Sequence, residues 1–88
     1  MKRGIRIDPR DNVGIVVDQV EPGESILIDG LEIVAQDEIS LPHKIALQDI
    51  QAGEHVIKYG AFIGYATQFI RAGEHVHVHN LDSEKMMK

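Results

Sequence analysis

A seven-residue corner, written three times, constrains this chain more than any other feature. Val20-Glu21-Pro22-Gly23-Glu24-Ser25-Ile26 is followed by Ile50-Gln51-Ala52-Gly53-Glu54-His55-Val56 and by Ile70-Arg71-Ala72-Gly73-Glu74-His75-Val76. Each copy reads apolar, polar, small, glycine, glutamate, variable, apolar. Glycine at the fourth position suits a turn residue with positive φ, and Pro22 before Gly23 matches the Pro-Gly preference of a type II turn. Glu54 and Glu74 recur with the glycine, which predicts a structural duty such as capping the turn's amides.

The stretch after each corner alternates, as a half-buried strand does. Ile26 and Ile28 follow the first, Val56 with Lys58 between Ile57 and Tyr59 the second, and Val76 and Val78 the third. Further strands are expected at Gly4 to Ile7, Val13 to Val17, Leu31 to Val34, His43 to Leu47 and Phe62 to Ala66, with turns at Asp29-Gly30 and Tyr59-Gly60. Helical periodicity is missing over any useful length, although Ala46 to Ile50 has room for one turn before the second corner. The expected fold is a compact all-β domain with little helix.

The 88 residues leave space for one domain and one modest core, too little for a complete enzyme, and there is no cysteine to staple it. That domain is expected over residues 1–82, with a polar, fraying tail at 83–88. No segment approaches the roughly 20 apolar residues of a membrane-spanning helix, and no apolar run follows the basic Met1-Lys2-Arg3-Gly4-Ile5-Arg6 start. A cytoplasmic protein without a membrane partner is the default.

A net charge of -5 argues against nucleic acid, whose binding needs clustered Lys and Arg. The charge is also lopsided. Asp8 to Glu38 carries nine acids and one base, Arg10, whereas Ile39 to Leu81 carries three acids, three bases and all five histidines. The second half suits an anion far better.

The most unusual local sequence is His75-Val76-His77-Val78-His79-Asn80-Leu81. On a continuous strand the valines would enter the core and the three histidines would line the opposite face. Neighbouring histidines would then stand roughly 7 Å apart and His75 and His79 roughly 13 Å apart, so His77 and His79 allow at most part of a metal site. A solvated or interface strand, a contact to substrate or partner, and ligation all remain open on spacing alone. His43-Lys44 places an imidazole beside a cation, a pair able to hold a carboxylate, and Lys58-Tyr59 offers a second cation and a phenol near a turn. No phosphate-cradling loop, nucleophile elbow or cysteine metal motif is present.

Asp11-Asn12-Val13, His43-Lys44-Ile45-Ala46-Leu47-Gln48-Asp49-Ile50, Tyr59-Gly60, Ile63-Gly64, Ala66-Thr67 and Gly73-Glu74-His75-Val76-His77-Val78-His79-Asn80-Leu81 together resemble the amino-terminal domain of altronate and galactarate dehydratases. This SAF domain is related to antifreeze-like and sialic-acid-synthase carboxy-terminal domains, and the resemblance implies a β-clip fold. It implies also a much larger catalytic partner chain, fused or separate, which holds a divalent metal, usually iron, and acts on a sugar acid. The small subunit of sulfolactate sulfo-lyase is similar too. Both reactions are β-eliminations from a 2-hydroxy acid, needing a base, help for the leaving group, and cations for the carboxylate.

Carried over by position, the resemblance picks out His77 and His79 first as catalytic candidates, then His43, Lys44, Lys58, Tyr59 and Asn80 as substrate contacts. Pro42 departs from the family, which has glycine before the His-Lys pair; proline removes that amide donor. Two other readings are a free-standing sugar-acid binding module and a structural protomer whose histidine strand makes a homo-oligomeric contact.

Overall fold

The computed structural model describes residues 1–83. Its strands are β1 (Lys2–Ile5), β2 (Val13–Val16), β3 (Ser25–Ile28), β4 (Leu31–Val34), β5 (Lys44–Ala46), β6 (His55–Lys58), β7 (Ala61–Ala66), β8 (His75–Val76) and β9 (Leu81–Ser83). A six-stranded sheet runs β4-β3-β1-β2-β5-β8, and a three-stranded sheet runs β6-β7-β9. Only β1 and β3 pair in parallel; the other strand pairs are antiparallel.

The fold is the all-β one expected. Its hairpins turn at Asp29-Gly30, with φ of 49° and 79°, and at Tyr59-Gly60, with φ of 56° and 73°. Two positive φ values in succession give the turn whose twist matches antiparallel strands. The corner glycines Gly23, Gly53 and Gly73 sit at φ of 89°, 88° and 93°. Glu54 and Glu74 cap their corners as predicted, accepting the amides of Gln51 and Arg71 at 2.5 and 3.1 Å, and Glu24 does the same for Glu21 at 2.8 Å.

The structure adds a fourth corner. Val20 and Ile39 exchange backbone hydrogen bonds, and Ile50 and Ile70 do the same. Ile39 therefore opens Ile39-Ser40-Leu41-Pro42-His43-Lys44-Ile45, in which Pro42 stands for the glycine and His43 for the glutamate. The turn-closing bond is the same, His43 N donating to Ser40 O at 2.8 Å just as Glu24, Glu54 and Glu74 donate to Glu21, Gln51 and Arg71, but it closes over a cis Leu41–Pro42 peptide where the other corners have a positive-φ glycine.

Four corners and two hairpins make two copies of one plan. Val20 and Ile50, Gly23 and Gly53, and Gly30 and Gly60 stand thirty positions apart. The second copy gains one residue at the β-bulge opposite Val56 and Ile57, so Ala35 and Ile39 correspond to Ala66 and Ile70. Each copy has its own apolar cluster. Val20, Ile26, Ala35, Ile39 and Ile45 are buried in the first, and their counterparts Ile50, Val56, Ala66, Ile70 and Val76 in the second. Strands β2 and β5 form the wall between them, giving Val16 and Ile45 to one side and Val13 and Ala46 to the other.

Buried polar side chains join the copies. Asn12 donates from Nδ2 to His55 O at 3.0 Å and accepts Ile57 N at 2.8 Å, while Asp11 accepts Gly60 N at 2.8 Å.

Three expectations are corrected. The helical turn at Ala46 to Ile50 is not formed, because the two groups that would close it are engaged elsewhere: Ile50 N bonds to Ile70 O and Ala46 O accepts from Gly73 N. The first strand begins at Lys2 rather than Gly4, since Lys2 to Gly4 pair with Ile26 to Ile28. The alternating strand through His79 stops at Val76: β8 ends there, and Val78 is 81% exposed instead of entering the core. Strand β9, which the sequence did not suggest, pairs with β7 and ends at Ser83. The rest of the expected tail, 84–88, lies outside the described residues.

Candidate functional site

After β8 the chain turns back on itself. Asn80 N and Leu81 N both donate to His77 O, at 3.1 and 2.9 Å. The Asn80 side chain locks the turn, donating from Nδ2 to His75 O at 2.8 Å and accepting His77 N at 3.0 Å. It is 1% exposed and both halves of its amide are engaged with backbone, so it braces the loop rather than facing outward.

The turn gathers rings that a strand would have spread. His75 lies 5.5 Å, centre to centre, from both His77 and His79. The fourth corner completes the group. His43, freed from the capping role that glutamate has in the other corners, lies 5.0 Å from His75 and 5.1 Å from His77. Its Nδ1 is 2.9 Å from His75 Nε2. Four of the five histidines thus come from two segments 32 residues apart in the chain. Sequence reasoning placed His75 on the right face but chose only His43, His77 and His79 as candidates. The signal for His75 was the fourth corner, hidden because its glycine and glutamate are both replaced.

Proline at position 42 has a visible consequence. Gly23, Gly53 and Gly73 each donate their amide, to Ala35, Ala66 and Ala46. Pro42 has no amide to donate, so this corner lacks the bond that fastens the others.

His75 is fixed from several sides. Its amide donates to Asp37 Oδ2 at 2.9 Å, its carbonyl accepts from Asn80, and its ring meets His43. Burial pushes its pKa below the ordinary value, and the neighbouring imidazoles of His43, His79 and His77 push the same way against the opposing pull of Asp37. A neutral ring is therefore favoured.

Lys44 and Lys58 form a second group. Both are half-buried, and the Lys44 ammonium is held below its ordinary pKa, first by burial and then by repulsion from Lys58. The described ion pairs join Lys2 to Glu24, Arg6 to Asp29 and Arg10 to Asp8, so among the described residues neither lysine has an acidic partner. Lys58 Nζ lies 4.8 Å from the centre of the Tyr59 ring. Tyr59 is 56% exposed at the tip of the β6–β7 hairpin. Two cations with no acidic partner among the described residues are suited to a carboxylate.

Among the described residues no three His, Asp or Glu side chains are arranged to hold a metal ion. The ring planes are tilted by 13° for His43–His75, 19° for His43–His77, 11° for His75–His77 and 41° for His75–His79. The residues present do not fit a resident metal. A separate concavity of about 430 Å³ is lined by Met1, Lys2, Glu24 and Ser25, with Lys2 and Glu24 3.6 Å apart, and no histidine reaches it.

No helix among the described residues is long and apolar enough to cross a membrane. The family profile of the altronate/galactarate dehydratase SAF domain matches residues 2–84. The chain is 44% identical over 80 residues to altronate dehydratase of Bacillus subtilis, covering 91% of this chain and 16% of that protein. It is 40% identical over 70 residues to galactarate dehydratase (L-threo-forming) of Escherichia coli, covering 78% and 13%. It is also 41% identical over 85 residues to the (2R)-sulfolactate sulfo-lyase subunit alpha of Chromohalobacter salexigens, covering 89% and 90%. The chain thus spans a small fraction of the dehydratases and nearly all of the sulfo-lyase subunit.

Proposed function

Because the chain belongs to the altronate/galactarate dehydratase SAF-domain family, we propose that it is the small subunit, or detached amino-terminal domain, of a hydro-lyase for a sugar acid. In this reading it covers the active site of a larger catalytic chain. The carrying observation is that the same unit matches 16% of one relative and 90% of another. A module that occurs both inside a large enzyme and as a named subunit serves a site completed by other residues.

Lys44 and Lys58 hold the substrate carboxylate, with Tyr59 closing over it from the hairpin tip. His43, His77 and His79 present imidazoles that donate to the substrate's hydroxyls or move a proton during elimination. Asn80 keeps the histidine turn in shape. The divalent metal, iron by family expectation, belongs to the larger chain, and the cytoplasm is the compartment of action. The domain's architecture in this reading is a β-clip.

The test is reconstitution. The purified chain alone should give no turnover of altronate or galactarate, and adding the larger chain should restore it. Lys44→Ala with Lys58→Ala should raise KM roughly tenfold or more, the loss of about 1.4 kcal/mol of carboxylate binding. Turnover by the isolated chain, or a larger chain indifferent to this one, overturns the reading.

The near-complete match to a sulfo-lyase subunit alpha supports a second reading, in which sulfite leaves instead of water. Offering sulfolactate and the sugar acids to the same reconstituted complex separates the two. Tight sugar-acid binding to the isolated chain in calorimetry would instead make it a free-standing binding module.

A further inference from the structure

A nitrogen–nitrogen distance of 2.9 Å between His43 Nδ1 and His75 Nε2 is too short for face-to-face stacking, which holds ring planes roughly 3.5 Å apart. The 5.0 Å between centres and the 13° tilt are instead those of two imidazoles lying edge to edge in nearly one plane. They share one hydrogen bond. We propose that His43 and His75 form a single-proton relay, the acid–base element of this site, with His75 working through His43.

The chemistry follows from which nitrogens meet. A neutral imidazole carries one N–H and one lone pair. If His75 Nε2 donates, His43 Nδ1 accepts and must carry its proton on Nε2. If His43 Nδ1 donates, His75 must carry its proton on Nδ1. The two neutral rings therefore always share one tautomer, both Nε2–H or both Nδ1–H.

A proton taken up at His75 Nδ1 makes that ring cationic. The proton on its Nε2 then crosses to His43 Nδ1, and His43 releases the proton from Nε2. One proton enters, one leaves, and both tautomers switch; the reverse passage restores them. A second proton on the pair would put N–H against N–H, so the pair holds one at a time.

The surroundings hold this arrangement in place. His77 lies nearly parallel to both rings, with tilts of 19° and 11°, and His79 flanks His75. Asp37 and Asn80 tie the His75 backbone at its amide and carbonyl. The charged and titratable groups acting on the His75 ring are those of His43, His77, His79 and Asp37. Because three of the four are imidazoles, the second protonation is resisted further.

Tied to the elimination proposed above, the His43 end delivers to or withdraws from the substrate and the His75 end exchanges with its surroundings. The relay itself needs only this chain. Nitrogen-15 spectra of the histidine rings in the intact protein should show matching tautomers for His43 and His75 above neutral pH, and a scalar coupling across the Nδ1···Nε2 bond. The pair should take up its first proton and then resist the second by at least about one pH unit. Opposite tautomers, no coupling, or two independent titrations overturn the proposal.

His75→Gln puts an amide nitrogen near the place of Nε2 but cannot carry a proton onward. It should abolish the scalar coupling between the two side chains' ring nitrogens. In the reconstituted enzyme it should lower kcat at least tenfold and remove one limb of the pH–rate profile with KM unchanged. An unaltered profile in an active complex overturns the relay role, while an inactive wild-type complex with the expected spectra counts against the dehydratase reading alone.

Discussion

Asn80 shows how one side chain can shape a surface it does not reach. It is buried, and its amide oxygen and nitrogen hold the two ends of the turn that gathers the histidines. Asn80→Ala leaves the His77 amide and the His75 carbonyl without their side-chain partner and should lower stability by about 2 kcal/mol, read by chemical denaturation. Asn80→Asp keeps the acceptor for His77 N and loses the donor to His75 O, so it should fall at least as far. His75 contributes a pH dependence whose sign is set by its lowered pKa. As the pH drops below the ordinary value of 6.5, the unfolded chain binds a proton that the folded chain resists. The stability present above that pH is lost as the pH falls through the lowered value. Calorimetry should show the melting temperature of His75→Gln falling less steeply than that of the parent between about pH 7.5 and 5. A parallel pair of curves would contradict it.

At the scale of the element, the three glycine corners are alike in backbone and unequal in packing. An added Cβ at Gly53 meets nothing within 4 Å, whereas at Gly73 it runs into the Val34 carbonyl. Both glycines have positive φ. Gly53→Ala should therefore cost about 1 kcal/mol from backbone conformation alone, and Gly73→Ala about 3 kcal/mol once the collision is added. Denaturant midpoints of the two variants check the difference. The corners were also the most legible part of the sequence, because a positive-φ glycine with a capping glutamate is a local requirement written in adjacent residues. The hairpin turns were legible for the same reason. The histidine segment was not, since its alternation satisfies a strand equally well and the deciding bonds come from Asn80 to the backbone of His75 and His77. Strand β9 was illegible because it is recruited by the edge of β7 rather than by its own pattern.

For the molecule as a whole, pairing of the two copies matters most. Each copy closes its own cluster, and β2 and β5 serve both, so His43 on the corner before β5 can meet β8 across the strand pairing that joins them. Exposed apolar side chains border the histidines in sequence, with Leu41 two residues before His43 and Val78 between His77 and His79. On the proposed reading, Leu41→Asp with Val78→Asp should leave the fold within about 0.5 kcal/mol and weaken association with the larger chain at least tenfold, measured by titration calorimetry. Unchanged affinity would place the contact elsewhere. The fourth corner differs from the other three at the glycine and glutamate positions, and this makes a decoy possible. Pro42→Gly with His43→Glu would restore the glycine and glutamate of the common corner, giving, on the proposed reading, a subunit that folds and still competes for the larger chain. Expressed beside the native chain, it would poison the complex by occupancy alone.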